Sequence, residues 1–239
     1  NYNMDNAFSR TALLLGEGAI QKLASSRVAI FGLGGVGGYC LEALARSGVG
    51  AFDLVDADRI DTTNLNRQIL ALRSTVGGLK TEVATERVRD INPAANVRAY
   101  SIFYTDESAP LFDFSQYDYI VDAVDTVAAK VSLALRAQEA GLKIISCMGA
   151  GNKLDPTAFE VTDIYKTSVC PLARAMSSQL KNVGVKSLKV VYSKEQPAQI
   201  DNSAAQKRVS GRPSPASCAF VPSVAGLIMA GEVIKDLVL

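Results

Sequence analysis

The stretch Val28-Ala29-Ile30-Phe31-Gly32-Leu33-Gly34-Gly35-Val36-Gly37 decides the fold of this 239-residue chain. Its first four residues form an apolar run typical of a buried strand, and the glycines that follow predict a turn into a helix. Such a glycine loop lets the backbone approach a phosphate and aims the positive end of the helix at it. A second apolar strand, 52–55, leads to Asp56, where a carboxylate can bind ribose hydroxyls. These elements predict a nucleotide site and leave NAD and ATP open.

Charged residues beyond Asp56 favour a triphosphate. Arg67 and Lys80 provide two cations, which suit the negative charges of a triphosphate and of a transition state at phosphorus. A hydride-transfer enzyme often uses a histidine as proton relay, and the chain contains no histidine. Asp122 and Asp125 follow a predicted strand and are suited to hold Mg²⁺, which binds few carboxylates together with phosphate oxygens. The expected ligands are therefore ATP and Mg²⁺.

Strands and helices alternate through the first two-thirds of the chain, which predicts an α/β fold. We expect a Rossmann-like, doubly wound, mainly parallel sheet with helices on both faces. The C-terminal part adds further strands and a terminal helix. The predicted helices are 39–47, 80–91, 126–140 and 222–239, with another opening at Cys170-Pro171, and the predicted strands are 28–31, 52–55, 119–121, 143–147, 159–164 and 188–192.

A single domain, 1–239, is expected from the length and the 48% hydrophobic content. Residues 1–150 form its nucleotide-binding half, and residues 151–239 form its substrate-binding half. The segment 195–217, rich in Gln, Ser, Ala and Pro, is predicted to be a mobile basic loop. In the terminal helix, the apolar residues predicted to face the core are Leu227, Ile228, Val233, Ile234 and Leu237.

Positive charge is concentrated in one region although the net charge is only +1. Residues 170–215 contain two acids and eight basic residues, which are Arg174, Lys181, Lys186, Lys189, Lys194, Lys207, Arg208 and Arg212. Clustered Lys and Arg attract a polyanion such as RNA. Lys181, Lys186 and Lys189 are the candidate contacts, and a solvated lysine-rich surface is the equal alternative.

The remaining composition excludes several classes of site. The four cysteines include no C-x-x-C pair, which argues against structural zinc, and the absence of histidine removes Ser-His and Cys-His nucleophile pairs. A packing role is favoured for each cysteine, with an unassisted thiol at Cys147, Cys170 or Cys218 as the alternative. No apolar run is long enough to span a membrane and the start of the chain is polar, so a cytoplasmic protein is expected.

The chain resembles the ubiquitin-activating-enzyme superfamily over nearly its whole length, in particular the bacterial adenylyltransferases that activate carboxylates with ATP. The resemblance is carried by the glycine loop, Asp56-Ala57-Asp58, Asn64-Leu65-Asn66-Arg67-Gln68, Lys80 and Asp122-Ala123-Val124-Asp125. It implies that the glycine loop receives the phosphates and Asp56 the ribose. The residues expected to contact ATP are Gly32, Gly34, Gly35, Val36, Gly37, Asp56, Asp58, Asn64, Arg67, Gln68, Lys80, Asp122 and Asp125.

The same resemblance implies catalytic roles for Arg10, Arg67, Lys80 and Asp125, with Asp125 positioning Mg²⁺. Arg10 matches an arginine that a partner subunit inserts into the site, so a homodimer is expected.

Within the superfamily, the chain is most similar to the tRNA threonylcarbamoyladenosine dehydratase group, through motifs that include 44–50, 90–93, 149–151 and 161–163. This implies ATP-dependent activation of the carboxylate on a modified adenosine of tRNA, followed by ring closure. One alternative is an adenylyltransferase for a sulfur-carrier protein ending in Gly-Gly. Another is a non-catalytic nucleotide-binding module that recruits a partner such as a cysteine desulfurase.

Overall fold

A computed structural model describes residues 6–200 and 215–239 of the chain. Within them, the strands are β1 (Arg27–Phe31), β2 (Ala51–Val55), β3 (Asn96–Tyr100), β4 (Tyr119–Asp122), β5 (Lys143–Cys147), β6 (Phe159–Asp163) and β7 (Lys189–Ser193). The α-helices are α1 (Ser9–Leu15), α2 (Glu17–Ser25), α3 (Gly37–Arg46), α4 (Lys80–Ile91), α5 (Val127–Glu139), α6 (Pro171–Asn182) and α7 (Pro222–Val238).

The strands form one sheet in the order β3-β2-β1-β4-β5-β7-β6. All neighbours are parallel except β6 and β7. This confirms the predicted mainly parallel, doubly wound fold with extra strands in the C-terminal part. The order reverses between β1 and β4, and open α/β sheets bind ligands beside the carboxyl ends of the strands at such a point. We call the side where β1, β2, β4 and β5 end the carboxyl edge, and the side where they begin the amino edge.

The central strand β1 is buried on both faces because helices cover both sides of the sheet. Val28 and Ile30 pack in a cluster with residues of α3 and α7, whereas Ala29 and Phe31 pack in a second cluster with residues of α5. Successive side chains of a strand point to opposite faces, so a continuous apolar run is what a central parallel strand requires.

Strand β3 is absent from the sequence predictions. It pairs only with β2 at the edge of the sheet, and most of its side chains are exposed. An edge strand with polar side chains lacks the apolar pattern from which the other strands were predicted. It follows helix α4, which connects it to β2 and has the predicted bounds 80–91.

Helix α7 packs against α3 through small residues, which corrects the predicted core face at Leu227. Val233 is buried as predicted, and Ile228, Ile234 and Leu237 are partly buried against the core. Leu227 is 46% exposed, whereas Ala225, Gly226, Met229, Ala230 and Val233 are buried. A Cβ atom on Gly226 would lie 2.2 Å from the carbonyl oxygen of Val36, at the start of α3. The two backbones approach so closely that small residues, and not Leu227, must lie between them.

This contact generates a stability prediction with a control in the same helix. We expect Gly226→Ala to lower the free energy of unfolding by about 1–3 kcal/mol, because the added methyl overpacks the contact between α7 and α3. Gly231→Ala should instead raise it by about 0.5–1 kcal/mol, since a Cβ there meets nothing within 4 Å and alanine is the better helix former. Urea unfolding of both variants tests the pair, and equal effects would contradict the proposed packing.

Candidate functional site

Two positions of the glycine loop between β1 and α3 have no room for a side chain. Gly32 has φ +93°, and a Cβ on it would lie 2.5 Å from the carbonyl oxygen of Ala123. A Cβ on Gly37 would lie 1.8 Å from the carbonyl oxygen of Gly32. A Cβ on Gly34 would have the side-chain nitrogen of Gln68 as its nearest neighbour, at 3.8 Å. The loop is therefore tightly wound at both ends, and α3 begins at its last glycine, as a phosphate site requires.

The carboxylate of Asp56 ties the glycine loop to the end of β2. It accepts hydrogen bonds from the backbone N–H groups of Leu33, at 2.7 Å, and Asp58, at 2.8 Å. Burial raises the pKa of the Asp56 carboxyl above its ordinary value, against the opposing effect of Lys80 and these N–H groups. The predicted ribose acid thus lies beside the loop that it was expected to accompany.

Lys80 is the first residue of α4 and is buried at the same edge. Its ammonium lies 2.8 Å from an Asp58 carboxylate oxygen and 3.9 Å from an Asp56 oxygen. The structure therefore brings together three predicted site residues in one ion-pair cluster. The side chain of Asp58 is about half exposed, so solvent and ligands can reach this pair.

The Asn64–Gln68 motif folds around a short 3₁₀ turn, Thr62–Asn64, and places the side chains of Arg67 and Gln68 beside the glycine loop. The Asn64 side chain instead accepts the N–H of Asp61 within the turn. The carbonyl oxygen of Asn64 accepts the N–H groups of Arg67 and Gln68. The Arg67 side chain lies 3.5 Å from the position that a Cβ on Gly35 would occupy.

The Gln68 side chain is 7% exposed, and its Oε1 has no hydrogen-bond partner among the described residues. Buried polar atoms are nearly always paired, so an unpaired amide beside a glycine loop fits a site that is completed by a ligand.

Asp122 and Asp125 differ in their surroundings, which corrects the role predicted for Asp122. The Asp122 carboxylate is fully buried and accepts hydrogen bonds from the Lys130 ammonium, the Ser146 hydroxyl and the Val124 N–H. Its oxygens are engaged inside the protein and do not face a ligand. Asp125 is exposed at the carboxyl edge.

The donor set can be compared with what a metal ion needs. Among residues 6–200 and 215–239, no group of three or more Cys, Asp or Glu side chains could hold a metal by itself. Mg²⁺ does not require such a cage, because it commonly binds one or two carboxylates and takes its other ligands from phosphates and water. The exposed carboxylate of Asp125 beside the glycine loop fits that pattern.

Arg10 is not brought to the glycine loop of its own chain. It lies on α1, two residues after Phe8, whose ring contacts the position that a Cβ on Gly48 would occupy, just beyond the end of α3. The glycine loop adjoins the other end of this ten-residue helix, about 15 Å away. Helix α1 also carries two exposed leucines, Leu13 at 88% and Leu14 at 83%.

The three candidate RNA-binding lysines lie near the amino edge, away from the glycine loop. Lys189 begins β7, and its ammonium is paired with Asp236, at 2.7 Å, and with Glu232, at 3.2 Å. Lys181 ends near the ring of Tyr165, and Lys186 lies between α6 and β7. A five-residue strand spans about 17 Å, so roughly that distance separates these lysines from the phosphate loop. Lys189, unlike the other two, is neutralised by carboxylates.

A set of anchoring residues at the carboxyl edge was missed from the sequence. The N–H and side-chain oxygen of Asn152 bond to the backbone of Ala216, and its carbonyl oxygen accepts the N–H of Ala198. The side-chain amide of Asn66 donates to the carbonyl oxygen of Ser217 at 3.0 Å. Both ends of the predicted basic loop are thereby held beside the nucleotide motifs. The sequence signal for this anchoring was the pair Gly151-Asn152, which is typical of a turn, and Asn152 has φ +57°.

Residues 201–214 of the predicted basic loop, with Lys207, Arg208 and Arg212, lie outside the described residues.

The cysteines near the site are buried. Burial raises the pKa of the Cys147 thiol to about 12, and Cys170 is also buried. Cys218 is partly exposed and directs its sulfur to the carbonyl oxygen of Lys153 at 3.8 Å. A thiol with the pKa of Cys147 is protonated at neutral pH, which disfavours it as a nucleophile.

A protein-family model for the ThiF family matches residues 8–238. The chain belongs to the ThiF family. It is 44% identical to the tRNA threonylcarbamoyladenosine dehydratase of Bacillus subtilis (strain 168), in an alignment that covers 98% of this chain and 95% of that protein. The dehydratase of Escherichia coli (strain K12) is 41% identical over 73% of this chain and 65% of its own length.

Solved structures of a tRNA N6-threonylcarbamoyladenosine dehydratase are also similar to this chain. A crystal structure of the E. coli tRNA N6-threonylcarbamoyladenosine dehydratase in complex with ATP superposes with a TM-score of 0.88 and 33% sequence identity, covering 99% of this chain and 96% of that one. The structure of that protein in complex with AMP gives 0.89 and 32%. In the part of this chain that the structure describes, no helix is long and apolar enough to cross a membrane.

Proposed function

We propose that this member of the ThiF family is an ATP-dependent tRNA-modifying enzyme that dehydrates N6-threonylcarbamoyladenosine to its cyclic form. The observation that carries the proposal is the nucleotide site at the carboxyl edge, where the glycine loop, Asp56, Arg67 and Gln68 adjoin one another. The full-length similarity to dehydratases of the same name supports the choice of reaction and of substrate.

The reaction consists of two displacements. A carboxylate oxygen of the substrate attacks the α-phosphorus of ATP, and the bond from that phosphorus to the pyrophosphate oxygen breaks. A nitrogen of the same substrate then attacks the activated acyl carbon and loses its proton, and AMP leaves. The protein contributes orientation and charge stabilisation, since ring closure by the substrate's own nitrogen needs no covalent enzyme intermediate.

Asp56, Arg67 and Lys80 have the properties that the binding step requires. A carboxylate held by two N–H groups retains lone pairs that can accept ribose hydroxyls. Arg67 lies beside Gly35 and can follow the triphosphate chain. Lys80 is paired with the half-exposed Asp58, and a phosphate oxygen can replace that carboxylate as its partner.

We also propose that Asp125 holds Mg²⁺ against the phosphates. Its exposed carboxylate stands where the turn after β4 packs against Gly32. When bound, the ion supplies Lewis-acid stabilisation of the charge on the phosphates.

Because both substrates, tRNA and ATP, occur in the cytoplasm, we propose that the reaction takes place there.

The ATP site can be tested by single substitutions. Each of Asp56→Ala, Arg67→Ala, Lys80→Ala and Asp125→Ala is expected to lower tRNA-dependent AMP formation by about 10²–10³-fold, because Arg67, Lys80 and Asp125 supply oriented charge at the phosphates and Asp56 anchors the ribose. Arg73→Ala, which removes an exposed arginine that lies nearby in sequence, is the matched control and should retain activity. Thermal unfolding shows whether each variant is folded.

Two outcomes would contradict the proposal. One is calorimetry that shows tight NAD binding and no ATP binding. The other is exchange of labelled pyrophosphate into ATP that responds to a sulfur-carrier protein ending in Gly-Gly and not to tRNA carrying the modified adenosine.

We further propose that the active unit is a homodimer in which α1 of each chain contacts the other. The exposed Leu13 and Leu14 form an apolar surface that a second copy can bury. Arg10, on the same helix, is remote from its own glycine loop and is therefore available to the loop of the partner.

Mixed dimers test this arrangement. Arg10→Ala chains and Asp125→Ala chains should each be inactive alone. Each hybrid dimer should recover about half of the wild-type activity, because one of its two sites is intact, and an equal mixture, in which about half of the dimers are hybrids, should recover about a quarter. Hybrid formation is verified by mass spectrometry with differently labelled chains. Verified hybrids without activity would reject the crossing of Arg10.

The lysines of the amino edge remain a proposal for the tRNA surface, now limited to Lys181 and Lys186. Both are exposed, and neither pairs with a carboxylate among the described residues. An RNA stem-loop that enters the carboxyl edge must extend along the protein for about the length of a strand to reach them.

The salt dependence of tRNA binding measures these contacts. Changing Lys181 and Lys186 together to Gln should reduce the log–log slope of affinity against salt by about 1.4–1.8, since each phosphate contact contributes about 0.7–0.9. Lys22→Gln, which removes an exposed lysine paired with Asp118, is the control and should leave the slope unchanged. An unchanged slope in the double variant would place the RNA surface elsewhere, and ATP affinity should be unaffected in both variants.

A further inference from the structure

A buried ion pair lies beneath the carboxyl ends of β4 and β5. The ammonium of Lys130, in α5, is 3.1 Å and 3.2 Å from the two carboxylate oxygens of Asp122. It also donates to the carbonyl oxygen of Cys147 at 2.8 Å and lies 3.3 Å from the Ser146 hydroxyl. The Lys130 side chain is 1% exposed and Asp122 is fully buried. One cation thus joins a helix to the ends of two neighbouring strands.

Stability alone does not account for this pair. Removing two charges from water is costly, and well-packed apolar residues of similar size commonly serve a core at least as well. Every polar atom of the pair is nevertheless directed to a partner at the strand ends. Networks of this kind fix local geometry, because each hydrogen bond restricts the orientation of its partners.

The pair reaches the nucleotide site through the turn that follows β4. An Asp122 oxygen accepts the N–H of Val124 at 3.2 Å. The carbonyl group of Ala123, between these two residues, packs directly against Gly32. Asp125 is the next residue after Val124. The Asp122 carboxylate therefore holds this turn in place, and the turn presents Asp125 to solvent.

From this geometry we propose that Lys130 is a positioning residue for Mg·ATP, acting through Asp122 on Asp125. Lys130 fixes the orientation of the Asp122 carboxylate, and the hydrogen bond to Val124 transmits it to the turn. Lys130 also neutralises the charge of the buried Asp122 carboxylate. The proposal rests on the proposed role of Asp125 in holding Mg²⁺.

The measurement compares the affinity for ATP with Mg²⁺ and in EDTA, by calorimetry on the full chain without tRNA. The ratio of the dissociation constant in EDTA to the dissociation constant with Mg²⁺ reports how much the ion strengthens ATP binding. It does not depend on turnover. In Lys130→Met the ratio should fall about tenfold, with the constant in EDTA changed less than twofold. Arg27→Met, which breaks the Arg27–Asp53 ion pair at the amino edge, is the matched control and should leave the ratio unchanged.

A double variant separates positioning from a direct effect of the lysine charge. In Lys130→Met/Asp122→Asn no charge remains, and the amide oxygen can still accept the N–H of Val124. Because the double variant also lacks the ammonium that orients residue 122, positioning predicts a ratio as low as in Lys130→Met. Recovery of the ratio to within about threefold of wild type would assign the effect to the unbalanced charge of Asp122 and overturn the proposal.

A third variant serves if Lys130→Met does not fold. Ser146→Ala removes a hydroxyl that donates to Asp122 at 2.5 Å and leaves the ion pair in place. The ratio should then fall about threefold, and an unchanged ratio would overturn the proposal. A wild-type ratio near one would reject the magnesium proposal and this inference together. A high wild-type ratio that Lys130→Met preserves would reject the inference alone.

Discussion

The close approach of the Gly37 backbone to the carbonyl group of Gly32 is the constraint on which the rest of the site depends. It closes the loop after β1 so tightly that α3 starts directly over the end of the strand. The position of α3 then fixes that of α7, whose Gly226 lies against Val36. The terminal helix of the chain is in this way held in place by the first nucleotide motif, although almost two hundred residues separate them.

Ligand groups at the carboxyl edge come from separate parts of the chain, and the sheet brings them together. Asp56 holds the glycine loop through Leu33, and the turn after β4 meets the same loop at Gly32. Parallel strands end on one side, so residues that are distant in sequence share an edge as soon as the strand order is set. The arrangement of charge follows from topology more than from any single contact.

The sequence was sufficient for the central strands and for the helix 80–91, because apolar periodicity is local and strong there. It was insufficient for Asp122, since nothing in Asp122-Ala123-Val124-Asp125 distinguishes a carboxylate that faces a ligand from one that faces a buried lysine eight residues on. The pairing of Lys189 is hidden in the sequence for a similar reason, because its acidic partners lie in α7, more than forty residues away. A cluster of basic residues in the sequence predicts a positive electrostatic potential only where the acidic residues that pair with it in the fold are also known.

Asn152 has a consequence for how this architecture can change. By holding Ala198 and Ala216 at one place, it fixes the two ends of the intervening segment independently of what lies between them. The entropy of closing such a segment grows slowly, by about 0.6 kcal/mol for each doubling of its length. Insertions, deletions or wholly different sequences between the two alanines would therefore leave the neighbouring strands almost undisturbed. The chain can therefore change its length at this point with little effect on the sheet, because Asn152 keeps the two ends of the segment together.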